Sequence, residues 1–319
     1  MRTNIWLDGM MGLVTGDALG NPAQFMRRSE IRKRGDVVSM EAGGAYHTPA
    51  GTWTDDSSMA LAALDSIREM ETIDPEDIMV RFVKWYFGGE YTPFGEAFDM
   101  GNTCSRAILN FSETADWRSC GLRHEHANGN GALMRILPVC IYYIARRMNG
   151  EGGTDEETLE GIHHVTALTH NHPRARIASG LYYFMAQELM TGDGDLRSRL
   201  QRGINRGFAF YQKDARYSAE LPHYARLRNL RMFADTAEDE ISSSGYVVAT
   251  LEAAVWSLLN TDNFRDCLIR AVNLGDDADT VGAVAGGLAG LFYGYDRIPE
   301  EWLQAIQRRE WIEELCLRM

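Results

Sequence analysis

Cysteine is scarce in this sequence and poorly spaced for chemistry. The five thiols, Cys104, Cys120, Cys140, Cys267 and Cys316, form no C-x-x-C pair. Their odd number and wide separation argue against a zinc site and against a disulfide framework, and the expected setting is reducing cytoplasm. Long apolar runs are also missing. Asp8 and Asp17 interrupt the first apolar stretch, so no signal-peptide core is expected there, and no stretch is long enough to span a bilayer. Positive charge is in deficit, with 32 Lys and Arg against 45 Asp and Glu and a net charge of -13. That balance speaks against non-specific nucleic-acid binding, which needs a basic surface to replace phosphate counterions. It leaves room for an anionic small ligand, because a bound metal or backbone amides supply local positive potential. One basic run, Arg27, Arg28, Arg32, Lys33 and Arg34, reads first as a solvated helix face or loop; the alternative is a contact patch for an acidic partner. Low-complexity segments and fixed-period repeats are absent.

What is present is helical patterning. Asp74 can cap a helix with Pro75 in its first position, and Ile78, Phe82, Val83 and Tyr86 form its apolar stripe up to Gly88 and Gly89. Thr154 and Glu157 form a capping box. After Thr54, residues Ala60, Ala63, Leu64 and Ile67 share one face. Thr261–Asp262 opens a periodic segment that stops at Gly275, and Glu300 to Leu317 reads as one amphipathic stretch. Strand signals are weak, with Gly245–Val248 the best candidate. The reading is a single all-α domain over residues 1–319.

Gly282, Gly286 and Gly290 recur at every fourth position. Each helix-interior glycine costs about 1 kcal/mol against alanine, so the run predicts close approach of a neighbouring helix. Immediately before it stand Asp276, Asp277, Asp279 and Thr280. A second acidic cluster, Thr54-Asp55-Asp56-Ser57-Ser58, opens the helix after Thr54. Acids at helix N-termini are ordinarily explained by the macrodipole. Capping needs only one or two of them, not the adjacent pairs flanked by threonine that stand at both sites. Such hard oxygen donors suit Mg²⁺, and two facing half-sites would hold a pair of ions roughly 3.5–4 Å apart.

Five segments in order carry a resemblance to a known family: Gly16-Asp17-Ala18-Leu19-Gly20, Thr54-Asp55-Asp56, Gly129-Asn130-Gly131-Ala132-Leu133-Met134-Arg135, Thr169-His170 and Asp277-Ala278-Asp279-Thr280. Together they resemble the ADP-ribosylglycohydrolases, the relatives of dinitrogenase reductase-activating glycohydrolase, from Gly9 to about Gly294. The resemblance implies an orthogonal multi-helix bundle with a central dimetal cleft. By position it implies Thr54, Asp55, Asp56, Asp277, Asp279 and Thr280 as ligands of two Mg²⁺ ions, with Mn²⁺ an alternative. It places Gly101, Asn102 and Thr103, in the loop after Phe98 and Asp99, along the ribose and phosphate site. Ala127, Asn128 and Asn130 belong to a loop that wraps the pyrophosphate, His170 contacts ribose, and Tyr246 approaches the adenine or the leaving group. Glycines 101, 129 and 131 would let backbone N–H groups reach phosphate oxygens. Taken alone, Asn-Gly-Asn-Gly would be a surface turn and His170 a satisfied core histidine.

One position departs from the pattern. Many relatives place a glutamate beside the metals where this chain has Gln24, and an amide cannot act as a general acid or base. The expected activity is hydrolysis of the N-glycosidic bond of ADP-ribosylated protein side chains, with arginine the first choice of linkage and serine left open. Asp56 or Asp99 is the expected base, through an oxocarbenium-like transition state. Two other readings stay open: a two-metal phosphoester hydrolase, and an ADP-ribose-binding module without turnover. The expected partners are ADP-ribose and an ADP-ribosylated protein, with neither nucleic acid nor membrane.

Overall fold

Asn4 caps the first helix, its side chain accepting the N–H groups of Trp6 and Leu7 at 2.8 and 3.2 Å. The computed structural model describes residues 4–319. Its helices are α1 (Ile5–Gly20), α2 (Arg28–Arg34), α3 (Asp55–Met70), α4 (Pro75–Gly88), α5 (Asn102–Thr114), α6 (Leu137–Met148), α7 (Asp155–Ala167), α8 (Pro173–Thr191), α9 (Leu196–Tyr211), α10 (Ala215–Ser218), α11 (Leu230–Ala234), α12 (Val247–Leu259), α13 (Phe264–Val272), α14 (Ala278–Tyr293), α15 (Glu300–Ala305) and α16 (Arg309–Leu317). Among the described residues there is no strand, only three isolated bridges. One contiguous core runs from Trp6 to Cys316, and no described helix is long and apolar enough to cross a membrane.

Local chemistry accounts for most boundaries. Asp74 caps α4 and Gly89 ends it in the left-handed region; Thr154 and Glu157 close their capping box on α7. Three expectations change. Gly245–Val248 is not a strand: Tyr246 makes one antiparallel bridge with Gly129, and Val247 already opens α12. The cap before Phe264 is Asn263, whose side chain accepts from Asp266 N, rather than Thr261 or Asp262. The C-terminal stretch is two helices, because Arg308 adopts φ +53° between α15 and α16. The basic run on α2 meets acids and carbonyls of the same chain. Arg28 bonds the carbonyls of Leu274, Glu238 and Ile241, and Arg32 pairs with Glu238 and Asp239.

The element that positions the site is the α1–α14 pair. Gly12, Gly16 and Gly20 of α1 face Gly286, Gly282 and Ala278 of α14. A Cβ added at Gly16 would lie 1.9 Å from the Gly282 carbonyl oxygen, and one at Gly12 2.3 Å from that of Gly286. The pairing is antiparallel, since Gly290 in turn abuts the Asp8 carbonyl. It therefore sets Asp17, near the end of α1, beside Asp279, at the start of α14. Asp17 then captures α3: its carboxylate accepts from Thr54 N and Oγ1 at 3.0 and 2.9 Å and from Ser57 N and Oγ at 3.0 and 2.6 Å.

Candidate active site

Three helix ends converge on a buried acidic centre. Asp17, Asp56 and Asp279 each place a carboxylate oxygen within 4.8 Å of the others. Asp56 Oδ1 and both oxygens of Asp279 are buried without a hydrogen-bond partner among the described residues. Burial, and then the charge of neighbouring acids, pushes Asp55, Asp56 and Asp279 well above the usual carboxylate range. Burial also raises Asp277, against the bond from Asn130. Asp17 rises to about 7 through burial, opposed by its bonds to Ser57 and Thr54.

This arrangement fits a hard divalent cation. Unpartnered buried oxygens and crowded acids are costly without a positive charge. The Thr54 hydroxyl shows the same tension. It lies 2.9 Å from Asp17 Oδ1 and 3.1 Å from Asp56 Oδ2, yet its one hydrogen serves only one of them. The other contact needs either a proton held on the carboxyl or a nearby cation. Asp17 belongs to the same triad as Asp56 and Asp279, but its oxygens are already spent on the N-terminus of α3. It is better read as the group that positions Thr54 and Asp56.

Beside the centre is an open cavity of about 260 Å³. Its lining falls into two chemistries. One is acidic: Asp55, Asp56, Asp99, Asp277 and Thr280, with Gln24 and Phe25 at the edge. Gln24 Nε2 donates to Asp99 Oδ2 at 2.6 Å and the Tyr46 hydroxyl donates to Asp99 Oδ1 at 2.7 Å. Burial raises the Asp99 carboxyl, and the bonds from Tyr46 and Gln24 lower it.

The other chemistry is rich in N–H donors: Gly101, Asn102 and Thr103, Gly129 to Gly131, Gly245 and His170. Gly101 caps α5 without a side-chain bond, so the N–H groups of the first turn have no partner within the helix. Such an end favours anions. His170 is buried and stays neutral, its pKa held down to about 3 by burial and then by Arg135. Arg135 Nη2 donates to Thr169 Oγ1 at 2.8 Å, and that oxygen lies 2.8 Å from His170 Nδ1. Placing the Thr169 hydrogen on Nδ1 completes the chain and leaves His170 Nε2 as an N–H donor beside Gly129 and Gly131.

The structure thus brings Gln24, Asp55, Asp56, Asp99, Gly101, Asn102, Thr103, Asn130, His170, Asp277 and Thr280 to one cleft. Thr54 and Asp279 are buried at the acidic centre without lining the open cavity. Ala127, Asn128 and Tyr246 lie off the lining. Ala127 is fully buried, Asn128 Nδ2 bonds the Glu125 carbonyl at 2.8 Å, and Tyr246 packs beneath the Arg174 guanidinium. Asn130 does more than face a ligand: its Nδ2 holds Asp277 Oδ2 at 2.6 Å and Thr250 Oγ1 at 2.9 Å. Sequence reasoning gave no role to Asp17, Tyr46 or Phe25. Asp17 is one of two carboxylates, with Asp8, in a helix of mostly apolar and small residues, a pattern that does not tell the two apart.

Fold and site together define a class: an all-helical protein whose buried acidic centre can hold a metal ion beside an open cleft. The sequence profile of the ADP-ribosylglycohydrolase family matches residues 5–319; the chain belongs to that family and is a glycohydrolase. It is 33% identical over 308 residues to the ADP-ribosylarginine hydrolase Tri1 of Serratia proteamaculans (strain 568), covering 96% of this chain and 76% of that one. To the ADP-ribosyl-[dinitrogen reductase] glycohydrolase of Rhodospirillum rubrum it is 31% identical over 304 residues, covering 95% and 90%. Among solved structures, a chain described as an ADP-ribosylglycohydrolase-related protein complex superposes with a TM-score of 0.77 at 30% identity, covering 99% and 96%.

Proposed function

We propose that this chain is a magnesium-dependent hydrolase that releases ADP-ribose from ADP-ribosylated arginine side chains of proteins. The observation that carries the proposal is the junction of an acidic centre with unpartnered buried oxygens and a cleft lined by the uncapped start of α5 and by His170. Arginine is favoured over serine because two relatives above 30% identity are named ADP-ribosylarginine hydrolases.

Thr54, Asp55, Asp56, Asp277, Asp279 and Thr280 would hold two Mg²⁺ ions, or Mn²⁺ in their place. When bound, the ions supply Lewis acidity and a positive charge that orients ribose hydroxyls. The chain's own groups do the rest. The first turn of α5 and the N–H groups of Gly129 and Gly131 take the pyrophosphate oxygens, since the Asn130 N–H already donates to the Gly245 carbonyl at 3.0 Å. His170, neutral and donating from Nε2, bonds a ribose oxygen. Asp99 accepts the proton of the attacking water as the bond between the anomeric carbon and the arginine nitrogen breaks through an oxocarbenium-like state; the guanidine leaves with the bonding electron pair and takes up that proton. Tyr46 and Gln24 fix the plane of its carboxylate. Asp56 is the other candidate base, but its place in the buried triad with Asp17 and Asp279 and its unpartnered Oδ1 suit it better as a ligand. Asn130 holds Asp277 in place. The five free, buried thiols suit a reducing compartment such as the cytoplasm.

The test is a release assay on arginine-linked and serine-linked ADP-ribosyl peptides, with and without chelator. Release of intact ADP-ribose from the arginine-linked peptide, lost with chelator and restored by Mg²⁺, is the expected result. AMP and ribose phosphate as products would make the chain a phosphoester hydrolase. Tight ADP-ribose binding without turnover at high Mg²⁺ would make it a binding module.

A further inference from the structure

Four aromatic side chains run outward from the acidic end of the cleft. Phe25 and Tyr46 meet edge to face at 6.4 Å, Tyr46 and Phe98 at 5.3 Å, and Phe98 and Phe94 stack at 5.4 Å. Phe25 is 61% exposed and Phe94 52%. Packing does not account for such exposure of large apolar rings in a row. Phe25 also holds φ +65°, a conformation that bulky residues avoid. It is fixed there by its own N–H to the Asp276 carbonyl at 2.6 Å, while Asp276 N returns to the Met26 carbonyl at 2.8 Å. A strained and exposed ring is therefore anchored to the segment that carries Asp277. Strain kept at the lip of a cleft is a reason to ask what the ring faces.

The charge pattern answers that question. The phosphate-compatible donors are at the start of α5 and at Gly129–Gly131, around Cys104 and His170. The ring row instead adjoins Asp99, which the Tyr46 hydroxyl bonds, and Phe25 shares the acidic lining of Asp55 and Asp277, where a pyrophosphate would be repelled. A cation is attracted both to aromatic faces and to carboxylates. Resting on the proposed arginine-linked substrate, we infer that the Phe25–Tyr46–Phe98–Phe94 ledge docks the guanidinium of the modified arginine and the peptide flanking it. Phe25 and Tyr46 receive the guanidinium, and Phe98 and Phe94, farther out, receive the neighbouring residues. The ledge thereby selects a protein-borne leaving group, while the inner cleft selects ADP-ribose.

The full chain is assayed with free ADP-ribosyl-arginine and with an arginine-ADP-ribosylated peptide, and ADP-ribose binding is followed by calorimetry. Phe25→Leu, which keeps bulk but removes the aromatic face, should raise KM for both substrates about tenfold, and Phe25→Tyr should leave it near wild type. Phe94→Ala should raise KM about threefold for the peptide alone. In each variant the ADP-ribose Kd should stay within about twofold of wild type. A parallel loss of ADP-ribose affinity in Phe25→Leu would mean that the ledge holds the adenosine end, and overturns the inference. Unchanged KM values in Phe25→Leu and Phe94→Ala overturn it as well. A wild type that releases nothing from either arginine-linked substrate refutes the proposed function itself, and that arm needs no variant.

Discussion

Gln24 donates its amide to Asp99 at 2.6 Å, so a glutamate at this position would set two carboxylates against each other. One of such a pair stays protonated. Gln24→Glu should therefore lower kcat at pH 7 about tenfold and move the acidic limb of the pH–rate profile up by about one unit. ADP-ribose affinity should hardly change. A rise in kcat would instead show that Gln24 silences the site. His163 offers a second, independent titration. Its ring lies between Tyr211 and Tyr217, with Nε2 2.8 Å from one hydroxyl and Nδ1 3.3 Å from the other, and burial holds its pKa down to about 3. The unfolded chain, at about 6.5, takes up this proton first. His163 thus costs nothing above that value and removes up to about 1.4 kcal/mol of stability per pH unit as pH falls toward 3. Buried acids contribute with the opposite sign, so the readout is the difference between wild type and His163→Gln in urea midpoints from pH 7 to pH 4.5. A constant difference would contradict the assignment. At this scale the paired acids Asp55, Asp56, Asp277 and Asp279 were legible, because paired acids at a helix start exceed what capping needs. Asp17 was not, since its partners Thr54 and Ser57 lie 37 and 40 positions away. Tyr46 and Phe25 sit in segments with no period to read.

Helices declare their ends better than their neighbours. The caps at Asp74 and Thr154 were readable because each is a contact within three residues. The Gly282, Gly286 and Gly290 spacing announced a close helix, but the matching Gly12, Gly16 and Gly20 became meaningful only with the pairing in view. The break at Arg308 was hidden because the amphipathic period continues on both sides of it. The α1–α14 contact is backbone against backbone, so no side chain can rotate away from an intruding atom. Gly16→Ala should cost about 1–3 kcal/mol or more, seen as a lower melting temperature, and should weaken ion binding by parting Asp17 from Asp279. Gly88→Ala is the control: nothing lies within 4 Å of its added Cβ, and it should be neutral or slightly stabilising. Equal melting temperatures for the two variants would remove the argument that these helices are locked by contact.

Across the whole molecule, the acidic centre is a liability to the empty fold and an asset to the loaded one. Asp279 has two buried oxygens without partners, and a neutral amide there relieves repulsion. Asp279→Asn should raise the melting temperature of chelator-treated protein. Saturating Mg²⁺ should raise that of wild type by roughly 5 °C and leave the variant unmoved. A variant less stable than wild type under chelator would show the carboxylate to be a structural element. The all-helical architecture was legible from periodicity, but the convergence of its acids was not, because Thr280 and Asp56 meet across 224 positions of chain. That separation has a practical consequence. The segment around Asp193 and Gly194, between α8 and α9, is exposed, and a cut there gives one piece carrying α1 and α3 and another carrying α14. Each piece holds half of the ligands, and the glycine-faced helices are the seam along which the pieces would rejoin. Calorimetry should find no Mg²⁺ uptake by either piece alone and uptake by the mixture, which turns ion binding into a gauge of reassembly.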